Sequence, residues 1–422
     1  MIARAPYIFL LLILIPDLYF DLHYWRHKAT GSGRLLRWLP SILMIAYTVK
    51  LAYEPDFIPS NPTIIYIYLF LLGMIVVPKL AFMVCSVVGL TISKLVRLSK
   101  RPFLSADSRK QHKKGRNYGN LFGLLCVVAI WYIVIYGSFV GFRKLEVKHI
   151  EYVSPDLPKA FDGYRITLFS DAHVGTYSGS RKDLLKQAID SINAQKADMI
   201  VFVGDLQNTQ PQDLYPHMDE LSRLRAKDGV FSVLGNHDYA QYISGDDVKK
   251  VANCRETASL ERQMGWTLLS NEHRRVSRGK SEIVIAGMEN DGDGKHFPQK
   301  GDIKKTLGVR SQEPGVGLTG APFIILLEHD PSAWCRKIIP DGRAQLTLSG
   351  HTHNMQFSIF GWSPISLIGS EVNGWYKEGR QSLYVTAGLG GLIPFRFGAT
   401  GELVVITLKS STHHAEEFNS SR

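Results

Sequence analysis

Four long apolar runs crowd into the first 150 residues of this 422-residue chain. They span residues 6–20, 35–53, 63–93 and 121–142. The fourth has about twenty apolar residues without a charge, the length a bilayer core demands. Lipid offers backbone groups no hydrogen-bond partner, so such runs cross as helices. The sequence predicts about four transmembrane helices. The second is the most interrupted, by Pro40 and Lys50, and the third holds Pro78 and Lys79 in its middle. Each half of the third run alone is too short to cross, so one tilted, kinked helix is expected rather than a hairpin. The first run is expected to be retained. Its leading segment has a single basic residue, Arg4, and no small-x-small cleavage site follows.

The net charge of +11 is unevenly placed, with 19 Lys and Arg against 6 Asp and Glu in residues 1–150. The remainder carries 30 against 32. A nucleic-acid binder puts its basic surface on the folded domain. Here the excess lies beside apolar runs, so membrane lipids are the expected partner and nucleic acid is not. Residues 94–116 hold nine Lys and Arg, the first loop holds Arg26, Lys28, Arg34 and Arg37, and residues 54–62 hold none. The positive-inside rule then puts the first and third loops in the cytoplasm. An integral protein of the inner or plasma membrane follows, with its C-terminal domain on the extracytoplasmic side. Arg143, Lys144 and Lys148 after the fourth span weigh against that orientation. Four cysteines exclude a disulfide scaffold. Cys254 and Cys335 fall in the external part, where pairing is open.

The expected domains are 1–145, a membrane region; 146–410, a folded domain; and 411–422, a polar tail. The middle part alternates strands and helices. Strands are predicted at 165–170, 198–203, 230–234, 282–286, 322–327, 345–349, 382–386 and 402–408, and helices at 181–194, 214–226 and 246–264. This pattern predicts an α/β domain with mixed sheets.

Residues that carry chemistry follow the strands. Asp171-Ala172-His173 follows the first, Gly204-Asp205 the second and Gly235-Asn236-His237-Asp238 the third. His329 and Gly350-His351-Thr352-His353 follow two later ones. Groups beyond the carboxyl ends of strands converge on one crevice. On an extended backbone, Asp171 with His173, and His351 with His353, would point to the same side. Imidazole and carboxylate together suit zinc, iron or manganese. Seven such ligands are too many for one tetrahedral ion and about right for two. His217, His273, His296, His413 and His414 lack this context and read as surface or loop histidines.

This ordered set resembles the calcineurin-like metallophosphoesterase superfamily over residues 160–410. The 388–398 stretch, Gly-Leu-Gly-Gly to Arg396-Phe397-Gly398, is similar to its membrane-associated bacterial branch. The resemblance implies a two-sheet α/β/β/α sandwich and a dinuclear centre. One ion would take Asp171, His173, Asp205 and His353. The other would take Asp205, Asn236, His329 and His351, with Asp205 bridging. His237 would stabilise or protonate the leaving oxygen, and His237 and Asp205 are the residues expected to be catalytic. Two divalent ions (Mn, Fe or Zn) are therefore expected.

Three positions depart from the family pattern. Asn208 stands where an Asp is frequent, Asn354 and Met355 where glycines are common, and Glu328 where Ser is usual. The last two positions are expected to alter the rim of the site. The expected activity is hydrolysis of a phosphodiester, phosphomonoester or pyrophosphate bond, with a lipid-linked substrate suggested by apolar residues in 356–375. The alternatives are a phosphoprotein phosphatase and a non-catalytic metal-bound membrane sensor or scaffold. Residues 289–321 are the candidate substrate loop.

Overall fold

A computed structural model describes residues 5–26, 31–57, 59, 61–100, 116–295, 297–308, 322–369 and 371–411. Most of the basic third loop, His296, residues 309–321 of the expected substrate loop, and the tail with His413 and His414 lie outside the described residues. The chain forms two compact units, Met1–Phe139 and Val140–Arg422.

The first unit is helical: α1 (Ala5–Phe20), α2 (Gly31–Ala52), α3 (Pro62–Leu71), α4 (Val77–Lys100) and α5 (Tyr118–Phe139). Asn61 caps α3, its side chain accepting the Thr63 N–H at 3.0 Å, with Pro62 next to it. A π turn, Leu72–Val76, joins α3 to α4, and the Val77 N–H reaches back to the Leu72 carbonyl. Pro78, without an N–H, follows at once, which is where a helix ladder most readily slips by one residue. The third run is therefore one continuous element, Pro62–Ser99, of 38 residues. Among the described residues four helices are long and apolar enough to cross a bilayer, and the protein is an integral membrane protein. Their outer faces carry exposed apolar side chains such as Leu36, Leu98 and Leu125, as lipid contact requires. Inside, the Lys79 ammonium donates to Asp17 Oδ1 at 2.7 Å and to Ser41 Oγ at 2.8 Å. Where α4 crosses α5, a Cβ on Gly89 would lie 2.7 Å from the Gly119 Cα. Only glycine permits that approach.

The second unit is a two-sheet sandwich. One sheet runs β1 (Leu145–Ser154), β12 (Gly401–Ser410), β2 (Arg165–Phe169), β3 (Met199–Val203), β4 (Val230–Val233), β5 (Thr267–Leu268). The other runs β10 (Gly374–Glu378), β11 (Gln381–Val385), β9 (Leu346–Ser349), β8 (Phe323–Leu327), β7 (Ser281–Gly287), β6 (Glu272–Arg278). Alternation along each strand sets the layers. Ile166, Leu168, Val201 and Val203 meet Ile283, Ile325, Leu327 and Leu348 between the sheets. Phe169, Ile200 and Phe202 face outward onto Leu185, Ile189 and Ile192 of α6 (Lys182–Ala194). Val284, Ile324 and Leu326 face the other way onto Trp334 and Ile338. The expected α/β/β/α order results.

Two local expectations change. The helix expected over 214–226 is a 3-10 turn, Tyr215–His217, followed by one α turn, α7 (Met218–Leu221). His217, with φ −121° and ψ 0°, leaves helical geometry between them. Strands β1, β5, β6 and β10 fall outside the expected eight; β1, hidden in the sequence by its charged, half-exposed face, pairs parallel with β12 along its whole length. In β2, β3 and β4, and in β7, β8 and β9, the strands run parallel within each sheet. Their carboxyl ends therefore emerge together.

Candidate metal centre

Each motif sits where a strand ends. Asp171 and His173 follow β2, Asp205 follows β3, and Asn236 and His237 follow β4. His329 follows β8, and His351 and His353 follow β9. Ligand atoms of Asp171, His173, Asp205 and His353 lie within 4.8 Å of one another, and so do those of Asp205, His329 and His351. Asp205 belongs to both groups. Its Oδ2 is 3.2 Å from His329 Nε2 and 3.7 Å from His173 Nε2.

The backbone that aims these groups is not extended, contrary to the sequence argument for the i, i+2 pairs. Asp171, His173, Asp205, His351 and His353 all have positive φ, between 43° and 72°. Left-handed turns swing the side chains inward, at a cost on the order of 1 kcal/mol per residue. Close packing makes room for this. A Cβ at Gly350 would collide with Ser170 Oγ and Asp171 Oδ2, and one at Gly235 with the Asp205 carboxylate.

The far ring atoms fix which nitrogen faces inward. His173 Nδ1 donates to the Gln207 carbonyl at 3.0 Å and His329 Nδ1 to the Val203 carbonyl at 2.7 Å. Both turn Nε2 toward the centre. His351 turns the other way, with Nε2 3.5 Å from Asp330 Oδ2 and Nδ1 inward. Asn236 donates through Nδ2 to the Tyr242 hydroxyl at 2.7 Å, which leaves Oδ1 pointing at His351 Nδ1 (2.7 Å) and His329 Nε2 (3.1 Å).

Burial and the neighbouring His237 push the His173 imidazole down to about 3. Burial and His173 hold His353 well below its ordinary value, and burial lowers His351. These rings are neutral and keep their lone pairs. Burial pushes the Asp171 carboxyl up to about 7, against the pull of His329. Burial also opposes charge on Asp205, but His329 and His237 outweigh it and hold that carboxyl well below its usual range. Burial disfavours a charged His329, yet Asp205 raises it well above the ordinary histidine.

These donors fit divalent metal. His173 Nε2 and His353 Nε2 stand 3.1 Å apart, and His329 Nε2 and His351 Nδ1 stand 3.3 Å apart. Nitrogen lone pairs that close repel unless a proton or a cation lies at the centre. The mixed imidazole, carboxylate and amide-oxygen set suits zinc, manganese or iron.

His237 stands beside the two groups. Its N–H donates to Asp205 Oδ1 at 2.8 Å, and its ring lies 4.7 Å from that of His173. Nδ1 donates to the Asn208 carbonyl at 2.5 Å, which leaves Nε2 on the opposite side of the ring from that bond.

Several supporting residues escaped sequence reading. Asp238 accepts the N–H groups of Asp205, Leu206, Gln207 and Gly235. Its place in the Asn-His-Asp run was the available signal. Tyr242 lies over His237, with ring centroids 4.3 Å apart, and the Phe297 ring lies edge-on to His351 at 5.2 Å. No spacing announced either. Glu328 is not a rim residue as expected. It is fully buried and accepts the N–H groups of Asp291 and Asp330. His217 is buried rather than superficial. All four cysteines are free, and Cys335 Sγ contacts Glu371 instead of Cys254.

Comparison with known proteins places these features. The family described as Calcineurin-like phosphoesterase matches residues 164–355. The family described as Probable Calcineurin-like phosphoesterase, transmembrane domain matches residues 3–142. The uncharacterized metallophosphoesterase YkuE of Bacillus subtilis is 33% identical over 320 residues, which is 72% of this chain and 98% of that protein. A transmembrane protein with metallophosphoesterase domain of Danio rerio is 28% identical over 68% of this chain and 63% of its own length. The uncharacterized metallophosphoesterase Cj0846 of Campylobacter jejuni is 28% identical over 70% of this chain and 73% of its own.

Proposed function

The chain belongs to the calcineurin-like metallophosphoesterase family, and we propose that it is a membrane-anchored hydrolase whose site holds two metal ions and cleaves a lipid-linked phosphoester or pyrophosphate. Members of this family are metal-dependent phosphoric ester hydrolases with a dinuclear centre. The observation that carries the reading is the pair of ligand clusters sharing Asp205. Asp171, His173, Asp205 and His353 would hold one ion, and Asp205, Asn236, His329 and His351 the other. Bound, two divalent ions would supply Lewis acidity toward phosphoryl oxygens and lower the pKa of water at the site.

The chain's own residues do the rest. Asp205 is kept charged and fixed by the His237 N–H. With Nδ1 held by the Asn208 carbonyl, His237 would use Nε2 to stabilise or protonate the leaving oxygen. Phe297, in the 289–321 segment, stands against His351 and supports a substrate-contacting role for that segment. In this reading residues 1–145 anchor the enzyme, residues 146–410 form the catalytic domain and 411–422 a tail. The basic loops support an extracytoplasmic active site.

The test uses purified full-length protein and Asp205→Ala, each with manganese or zinc. Bis(p-nitrophenyl) phosphate and p-nitrophenyl phosphate are assayed side by side. Metal-dependent diester cleavage lost in the variant is expected. Cleavage of the monoester alone would redirect the assignment to a phosphatase. Metal binding with no turnover of either would favour a sensor.

A further inference from the structure

After His353, the second histidine of the last motif, the chain runs to Glu371 without an Asp, Glu, Lys or Arg. Within that stretch Ile359 and Trp362 exchange both backbone hydrogen bonds, at 2.9 and 3.0 Å, and close a two-residue hairpin. The central residues, Phe360 and Gly361, have φ of +51° and +83°. Two left-handed residues define a type I′ turn, whose first position ordinarily takes Asn, Asp or Gly. A bulky residue there is an outlier that persists only where the surroundings impose it.

The Phe360 side chain does not repay that cost by packing, because it is completely exposed (105%). Ile368 (81%), Leu367 (75%) and Trp362 (50%) are exposed with it. Isolated exposed apolar residues are ordinary, but a charge-free cluster of them is not.

The hairpin is firmly based. Ser358 N–H donates to the Phe397 carbonyl at 2.7 Å, and Ser363 Oγ to the Asn354 carbonyl at 2.8 Å. The Gln356 amide donates to the Ile393 and Phe395 carbonyls. Asn354 and Met355 join this base directly to His353, so the hairpin stands at the rim of the metal site. One apolar phase is always at hand. The chain's own first 139 residues cross a bilayer, and only residues 140–144 separate α5 from β1.

We propose that residues 359–368, the hairpin together with the 3-10 turn Pro364–Leu367 that follows it, insert into the membrane, with Phe360, Leu367 and Ile368 entering the bilayer and Trp362 resting at its interface. Trp is the residue favoured at that level. The hairpin would hold the rim of the metal site against the lipid surface. Its use for lipid-linked substrate rests on the function proposed above; its insertion does not.

The test places trifluoromethyl-phenylalanine at Phe360 in the full-length protein, in nanodiscs of phosphatidylcholine and phosphatidylglycerol at one chain per disc. Val248, exposed on a charged helix, carries the same label as a reference. Fluorine relaxation is read with a nitroxide lipid and with a water-soluble gadolinium chelate. Relaxation by the nitroxide lipid and shielding from gadolinium at 360, with the reverse at 248, is the expected result. Gadolinium access at 360 equal to that at 248 would overturn the proposal. So would shielding that appears only with two chains per disc, which would mean a second copy covers the hairpin.

A triple variant, Phe360→Ser with Leu367→Ser and Ile368→Ser, alters only exposed side chains. It should cleave soluble bis(p-nitrophenyl) phosphate at the wild-type rate. It should lose about tenfold or more toward a phosphoester embedded in vesicles, since three apolar side chains no longer partition. Equal loss on both substrates would instead mean the hairpin shapes the site itself. If wild type cleaves neither substrate, the proposed function fails while the fluorine readout still decides insertion.

Discussion

At the scale of single residues, the site depends on which atom of each ring faces inward. His237 donates through Nδ1 to Asn208 and contributes no ligand atom to either cluster. His237→Ala should therefore lower kcat by about 10²- to 10⁴-fold, as loss of a general acid does. Metal content by mass spectrometry should stay at the wild-type level; loss of metal would recast His237 as a ligand. Outside the site, Glu261 is fully buried, with Ser232 Oγ donating to Oε2 at 2.5 Å. Burial, followed by the nearby Asp238, pushes its carboxyl well above the ordinary range. A folded-state pKa raised above the unfolded one gives stability that is full below the unfolded value, near 4.3, and lost as pH rises toward the folded value. Glu261→Gln should remove that loss. Its Tm advantage over wild type should grow from pH 5 to pH 8, and a constant difference would contradict the assignment.

At the scale of elements, two close approaches set the geometry. The turn after β9 passes so near β2 that Gly350 cannot carry a Cβ without striking Ser170 and Asp171. Gly350→Ala should keep the far-ultraviolet circular dichroism of the fold while metal stoichiometry falls; two retained ions would show that the turn yields freely. In the membrane unit, Lys79 of α4 meets Asp17 of α1 and Ser41 of α2, and Asp17 is almost fully buried. Lys79→Ala leaves a buried charge unpaired, a loss of about 3–5 kcal/mol. Denaturant titration in detergent should show it. The exchange Asp17→Lys with Lys79→Asp should recover part of it, and no recovery would mean the pair matters through position rather than charge.

At the scale of the whole molecule, metal that binds only the folded chain adds stability. At about 100 times its dissociation constant it contributes roughly 2.7 kcal/mol. Chelation should abolish turnover and lower the Tm of the second unit, and manganese or zinc should restore both. A Tm indifferent to metal would argue against a centre built from these ligands. The sequence by itself determined the four apolar spans, because their length and scarcity of charge admit one solvent. It also determined the strand-end order of Asp171, His173, Asp205, Asn236, His329, His351 and His353, because parallel strands buried on both faces read as unbroken apolar runs such as 199–203 and 323–327. Strand β1 was missed because a half-exposed, charged edge strand lacks that signal. Only the tertiary structure decided the rest. It replaced extended backbone with left-handed turns at the four paired positions, Asp171, His173, His351 and His353, set Asp205 in the same conformation, buried Glu328, and brought Asp330, Tyr242 and Phe297 to the candidate site. Those outcomes depend on how two sheets meet across their carboxyl ends, and tertiary contacts of this kind leave no local periodicity to read.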